Sequence, residues 1–172
     1  MAHPPAWHRR IIRRESLFDP AIRRAHRQFR QRLLTFFAEA SLGNILTAPL
    51  IYALLLPFAL LDLWVSVYQF VAFPVYSIER VRRKPYFAFD RERLAYLNGI
   101  EKVNCLFCSY ANGVIAYVRE VAARTEQYWC PIKHARRLRA THSHYPNFTE
   151  FGDAAGYKRQ LPVLRRDLNP RK

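Results

Sequence analysis

The sequence predicts a mainly α chain: a small helical domain attached to one long hydrophobic helix, re-entrant or kinked, with a loop-rich C-terminal tail. Two observations lead there. Residues 45–76 read ILTAPLIYALLLPFALLDLWVSVYQFVAFPVY, with Asp62 the only formal charge. On either side of this run, apolar residues recur every three or four positions.

The hydrophobic run is a membrane segment by length and polarity. As one helix its 32 residues would extend roughly 48 Å, against a hydrocarbon core of about 30 Å. Pro49, Pro57 and Pro74 interrupt it, and each interior proline removes a backbone hydrogen bond. The flanks are basic on both sides. Nine arginines precede the run, and Arg80, Arg82, Arg83 and Lys84 follow it. Because positive flanks resist translocation, a re-entrant hairpin broken near Pro57 fits better than a single span. It leaves most of the chain on the cytoplasmic side of the membrane. Asp62 is a possible intramembrane polar residue, and such carboxylates are often functional.

Three regions follow: 1–44, a basic arm and interfacial helix; 45–76, the membrane segment; and 77–172, a cytoplasmic helical module with an extended tail. In the first, Asp19-Pro20 signals a helix start. Ile22, Phe29, Leu33, Phe36, Phe37 and Ala40 then recur at helical spacing up to Gly43. Arg23, Arg24, Arg27 and Arg30 occupy other positions, the pattern of a helix lying among lipid headgroups. In the third, Asp90 is expected to cap a helix carrying Leu94, Leu97, Ile100, Val103 and Phe107. Asn112-Gly113 is expected to turn the chain into a further helix through Val114, Val118 and Val121; the same dipeptide could instead close a β-hairpin. Beyond Thr141, prolines and glycines leave a loop-rich tail with at most one short helix.

Lys and Arg outnumber Asp and Glu by 28 to 13, a net charge of +15. This calls for an anionic partner, either lipid headgroups or nucleic acid, and the hydrophobic run favours the bilayer. A membrane protein or a second copy of the chain is a further expected partner. No nucleotide-binding glycine motif, H-E-x-x-H or G-x-S-x-G occurs, which argues against an enzyme of those classes.

The chemically informative residues are Cys105, Cys108, Cys130 and His134, which read C-x2-C-x21-C-x3-H. Thiolate and imidazole suit zinc or iron in a tetrahedral site, and His142 and His144 lie close by in sequence. A straight helix over 113–128 would separate the two halves by roughly 24 Å, so a shared site requires the chain to break or a partner to complete it. The expected function is a membrane-anchored accessory or scaffold protein with a Zn or Fe module. The alternatives are an iron electron carrier or C-x2-C redox protein, and a basic zinc-binding nucleic-acid binder.

Overall fold

A computed structural model describes residues 20–32, 35 and 40–169. It is mainly helical, with no strand among the described residues. Among the described residues five α-helices have defined bounds: α1 (Pro20–Arg27), α2 (Leu42–Ala53), α3 (Leu55–Val75), α4 (Gly99–Trp129) and α5 (Ala154–Asp167). The chain divides into two compact units, one of residues 1–53 and 89–110, the other of 54–88 and 111–172.

In the first unit the amphipathic helix expected to run from Pro20 to Gly43 stops at Arg27. A helix starts at Leu42, where the Ser41 hydroxyl accepts the Asn44 N–H (3.2 Å) in an N-cap. Gly43 therefore lies inside a first turn instead of ending a helix. Asp19, Leu33, Phe36 and Phe37 lie outside the described residues. Arg23, Arg24, Arg27 and Arg30 are exposed, as expected of a solvated or headgroup-facing set.

The helix expected after Asp90 begins later. Arg91–Arg93 form only a 3-10 turn, and α4 opens at Asn98-Gly-Ile-Glu101. There Asn98 Oδ1 accepts the Glu101 N–H (3.0 Å) while Glu101 Oε2 accepts the Asn98 N–H (2.7 Å). This reciprocal capping box satisfies two donors that a helix start otherwise leaves bare. Tyr52 of α2 reaches this helix through a hydrogen bond to Asn104 and an edge-on contact with Phe107.

The expected turn at Asn112-Gly113 is absent: both residues lie within the 31 residues of α4. Gly113 serves close approach instead. A Cβ there would sit 2.7 Å from Phe87 Cδ1 and 3.0 Å from the Tyr86 carbonyl oxygen.

The second unit is built on α3, α4 and α5. Its core joins Phe73, Ile78, Val81, Tyr117, Val121 and Leu168. α3 and α4 run in the same direction, since Ser66 meets Tyr117, Tyr68 meets Thr125 and Tyr76 stacks on Tyr128. The tail is more ordered than expected. Asp153 caps the 14-residue α5 by accepting the Gly156 N–H (2.7 Å), and Pro162 is accommodated inside the helix on its exposed side. Gln127 donates to the Leu164 carbonyl (2.7 Å) and ties α5 to α4. An isolated parallel bridge between Ile132 and Thr149 holds the intervening loop closed at its base.

Candidate functional site: an outward apolar face and an inward polar seam

Pro57, near which the hydrophobic run was expected to break, lies inside an α-helix. It stands at the third position of α3, where the backbone N–H would have no intrahelical partner anyway. Leu54 before it keeps helical angles (φ −63°, ψ −16°). Leu42–Val75 is the stretch among the described residues long and apolar enough to cross a membrane, with a mean hydropathy of 2.1 over 18 of its residues.

What distinguishes α3 is which side chains it turns outward. Leu56, Leu60, Leu63, Trp64, Val67, Phe70, Val71 and Val75 are all exposed, Trp64 by 68% and Val75 by 75%. At 100° per residue these span an arc of about 140°. The polar residues point the other way: Asp62, Ser66 and Gln69 lie with Phe73 on the face packed inward, and Asp62 and Gln69 are buried. This reverses the arrangement of a helix on the surface of a water-soluble domain. Exposing this many large apolar side chains to water forgoes on the order of 10 kcal/mol, comparable with the whole stability of a typical domain.

The inward residues form an oriented seam. Gln69 Nε2 donates to the Tyr117 hydroxyl (2.5 Å) and the Val81 carbonyl (3.3 Å), while its Oε1 accepts the Val81 N–H (3.0 Å). With its oxygen accepting from Gln69, the Tyr117 hydroxyl is free to donate to Ser66 Oγ (3.4 Å), which in turn reaches Asp62 Oδ1 (3.5 Å). Asp62 Oδ2 accepts from Arg83 Nη2 (2.8 Å). The Arg83 guanidinium also covers the rings of Phe87 (4.6 Å) and Tyr117 (5.5 Å). The lone carboxylate of the hydrophobic run is thus neutralised by one of the arginines that follow it.

At the C-terminal end of α3, Tyr76, Tyr128 and Trp129 pack together, with ring centroids 5.0–5.3 Å apart. Arg165 stacks on Tyr128 at 4.6 Å. Amphipathic rings beside basic groups are the composition of a membrane–water boundary.

A second polar cluster joins α4 to the loop that follows it. His142 Nε2 lies 2.9 Å from Glu126 Oε2, and His144 places Nδ1 2.5 Å from Gln127 Oε1 and Nε2 3.2 Å from Glu120 Oε1. Glu120 also accepts from Arg124 Nε (2.9 Å). Burial opposes the charge on Glu120, but the hydrogen bonds and charges of Arg124 and His144 outweigh it, and the carboxyl is held below its ordinary value. Tyr86 is pushed up, first by burial and then by the nearby Glu120 charge.

The metal reading is not supported. Among the described residues no group of three or more His, Cys, Asp and Glu is placed to hold a metal ion. Cys105 and Cys108 lie within α4 and Cys130 just beyond its end, none of them in a disulfide. His134 stacks on Tyr145 and is exposed. A chain break at Asn112-Gly113, which would have let a single chain bring these four residues together around zinc or iron, is absent. A redox dithiol is no better placed, because Cys105 sits well past the first turn of α4, beyond the reach of the helix-start dipole.

Sequence reasoning singled out Asp62 and missed its companions. The signal was present as D62-x3-S66-x2-Q69, polar residues at helical spacing within an apolar run. Compared with known proteins, the chain matches no family model, no curated protein and no solved structure.

Proposed function

We propose that this chain is a monotopic membrane-associated accessory protein, with the outer face of α3 in lipid and the second unit's polar elements on the aqueous side. The observation that carries this is the reversed burial of α3, with apolar residues outward and Asp62, Ser66 and Gln69 inward. An in-plane placement is favoured over a transmembrane one by what α3 packs against. Over the length of the Ser66–Tyr76 segment its neighbour α4 carries Arg119, Glu120, Arg124 and Glu126. A perpendicular α3 would carry these charges into hydrocarbon at several kcal/mol each, to order of magnitude. Lying in the plane, α3 buries its apolar side alone, as interfacial helices do.

Two measurements test this. The full-length protein should float with phosphatidylcholine vesicles in about 1 M salt, where the Debye length falls to about 3 Å and charge attraction no longer contributes. Protein left in the dense fraction would contradict lipid contact. Engineered cysteines at Ser41 and Arg82, on opposite flanks of the apolar stretch, should label from the same side of sealed vesicles. Labelling from opposite sides would establish a span instead.

A further inference from the structure

The end of α3 is built around an unusual residue choice. The helix closes in a Schellman turn, with the Ile78 N–H donating to the Phe73 carbonyl (2.8 Å) and the Ser77 N–H to that of Pro74 (3.2 Å). This sets Ser77 at φ +58°, where glycine is the usual occupant. Beside the turn lies a cavity of about 520 Å³ lined by Pro74, Ser77, Glu79, Arg80, Arg82 and Asn169, a volume within the range of small-molecule sites.

Three features define what it would take. First, it carries both signs of charge, Glu79 beside Arg80 and Arg82. The Glu79 backbone is fixed at both ends, its N–H donating to Leu168 O (2.9 Å) and its carbonyl accepting from Arg124 Nη1 (2.7 Å). Yet among the described residues neither the Glu79 carboxylate nor Arg82 enters an ion pair. Second, Arg80 lies over the ring of Phe70 at 5.3 Å, and Phe70 belongs to the outward apolar face of α3. Arg80 therefore links the cavity's lining to the surface proposed to face lipid. Third, the carbonyl end of α3 carries partial negative charge, which together with Glu79 favours a cation within the cavity and works against a purely anionic guest.

We propose that this cavity binds a phosphoethanolamine group, supplied as the headgroup of an aminophospholipid whose chains lie along the outer face of α3. Arg80 and Arg82 donate to the phosphate. The ammonium sits against Glu79 and the α3 carbonyl end, where its N–H groups find acceptors. A choline headgroup has no such N–H to offer. This proposal rests on the lipid-facing reading of α3.

The test is flotation of the full-length protein in about 1 M salt, where general charge attraction is screened. The vesicles are phosphatidylcholine, alone or doped with phosphatidylethanolamine or phosphatidylglycerol. Phosphatidylethanolamine should strengthen binding about tenfold, the scale of one charge-assisted contact, and more than phosphatidylglycerol does. Glu79→Gln should abolish that advantage, as should Arg80→Gln with Arg82→Gln, while each variant still floats on phosphatidylcholine and keeps its helical circular dichroism. Equal binding to all three vesicles, equal strengthening by phosphatidylglycerol, or an advantage that survives these substitutions would overturn the site. Soluble phosphoethanolamine binding as tightly as the lipid would overturn the lipid assignment. Failure to float on any vesicle would instead defeat the lipid-facing reading itself.

Discussion

At the scale of single residues, Asp62 and Gly113 show how environment reverses a first expectation. Asp62 reads in sequence as a charge stranded among apolar residues, but Arg83 answers it from beyond the helix end. Removing one partner of a buried pair leaves the other uncompensated. The side chain of Arg83 is 45% exposed, which moderates the loss, so Arg83→Ala should destabilise the protein by about 1–3 kcal/mol in chemical denaturation. Gly113→Ala should also destabilise, by about 1–3 kcal/mol, although helix propensity alone favours alanine by about 1 kcal/mol. The Phe87 ring and Tyr86 carbonyl leave no room for the added methyl; a stabilised variant would refute the close approach. Asn-Gly is a turn signal only where nothing else competes for the glycine, and a sequence does not reveal that a ring will lie against it.

Glu120 adds a pH dependence whose sign follows from its lowered pKa. Its proton binds more weakly in the folded chain than in the unfolded one. Its contribution is therefore complete above the ordinary carboxylate range and lost as pH falls through the lower, folded value. Glu120→Gln should be less stable than the parent at neutral pH, and the gap should close on acidification. A gap that widens in acid would contradict the arrangement with Arg124 and His144.

At the scale of elements, the existence of helices was legible and their ends were not. Apolar spacing located α4 correctly in kind, but the helix start lay in Asn98-x-x-Glu101, a capping box overlooked in favour of Asp90. Asn98 is 1% exposed, and Asn98→Ala should cost about 1 kcal/mol, measured as loss of helical signal or melting temperature. The α5 helix was obscured by Gly156 and Pro162. Gly156 sits where the Asp153 cap leaves no space for a side chain, and Pro162 points outward, so two residues that normally punctuate structure are here compatible with a helix. The metal constellation found no support for an element-level reason as well: spacing in sequence suggested chelation, but the helix at Asn112-Gly113 leaves no bend there to bring the two halves together within one chain. The polar seam of α3 was legible in principle, since residues 62, 66 and 69 share one helical face.

At the scale of the molecule, charge and apolar surface are sorted. In the second unit Asp62, Glu120, Glu126, Glu150 and Asp153 are each engaged internally, by Arg83, by Arg124 and His144, by His142, by Lys133 and by the Gly156 N–H. Arg82, Arg136, Arg137, Arg139, Arg159 and Arg166 remain exposed. Among the described residues of this unit, positive charge is therefore presented outward with few acidic neighbours. At low salt this should add binding to anionic vesicles that fades as salt rises, beyond a salt-resistant component carried by α3. The two components separate in a salt titration of flotation, and complete loss at high salt would mean that charge alone holds the protein.

The outer face of α3 is the surface proposed to meet lipid, and spin labels placed along it probe it most directly. In a background with Cys105, Cys108 and Cys130 replaced by serine, single cysteines at positions 60, 63, 64, 67 and 71 carry the label in vesicle-bound protein. Collision with oxygen, which concentrates in lipid, should be high at these positions and collision with a polar nickel chelate low, while labels at 66 and 73 should be sheltered from both. High chelate collision at the outward positions would place that face in water and contradict the account.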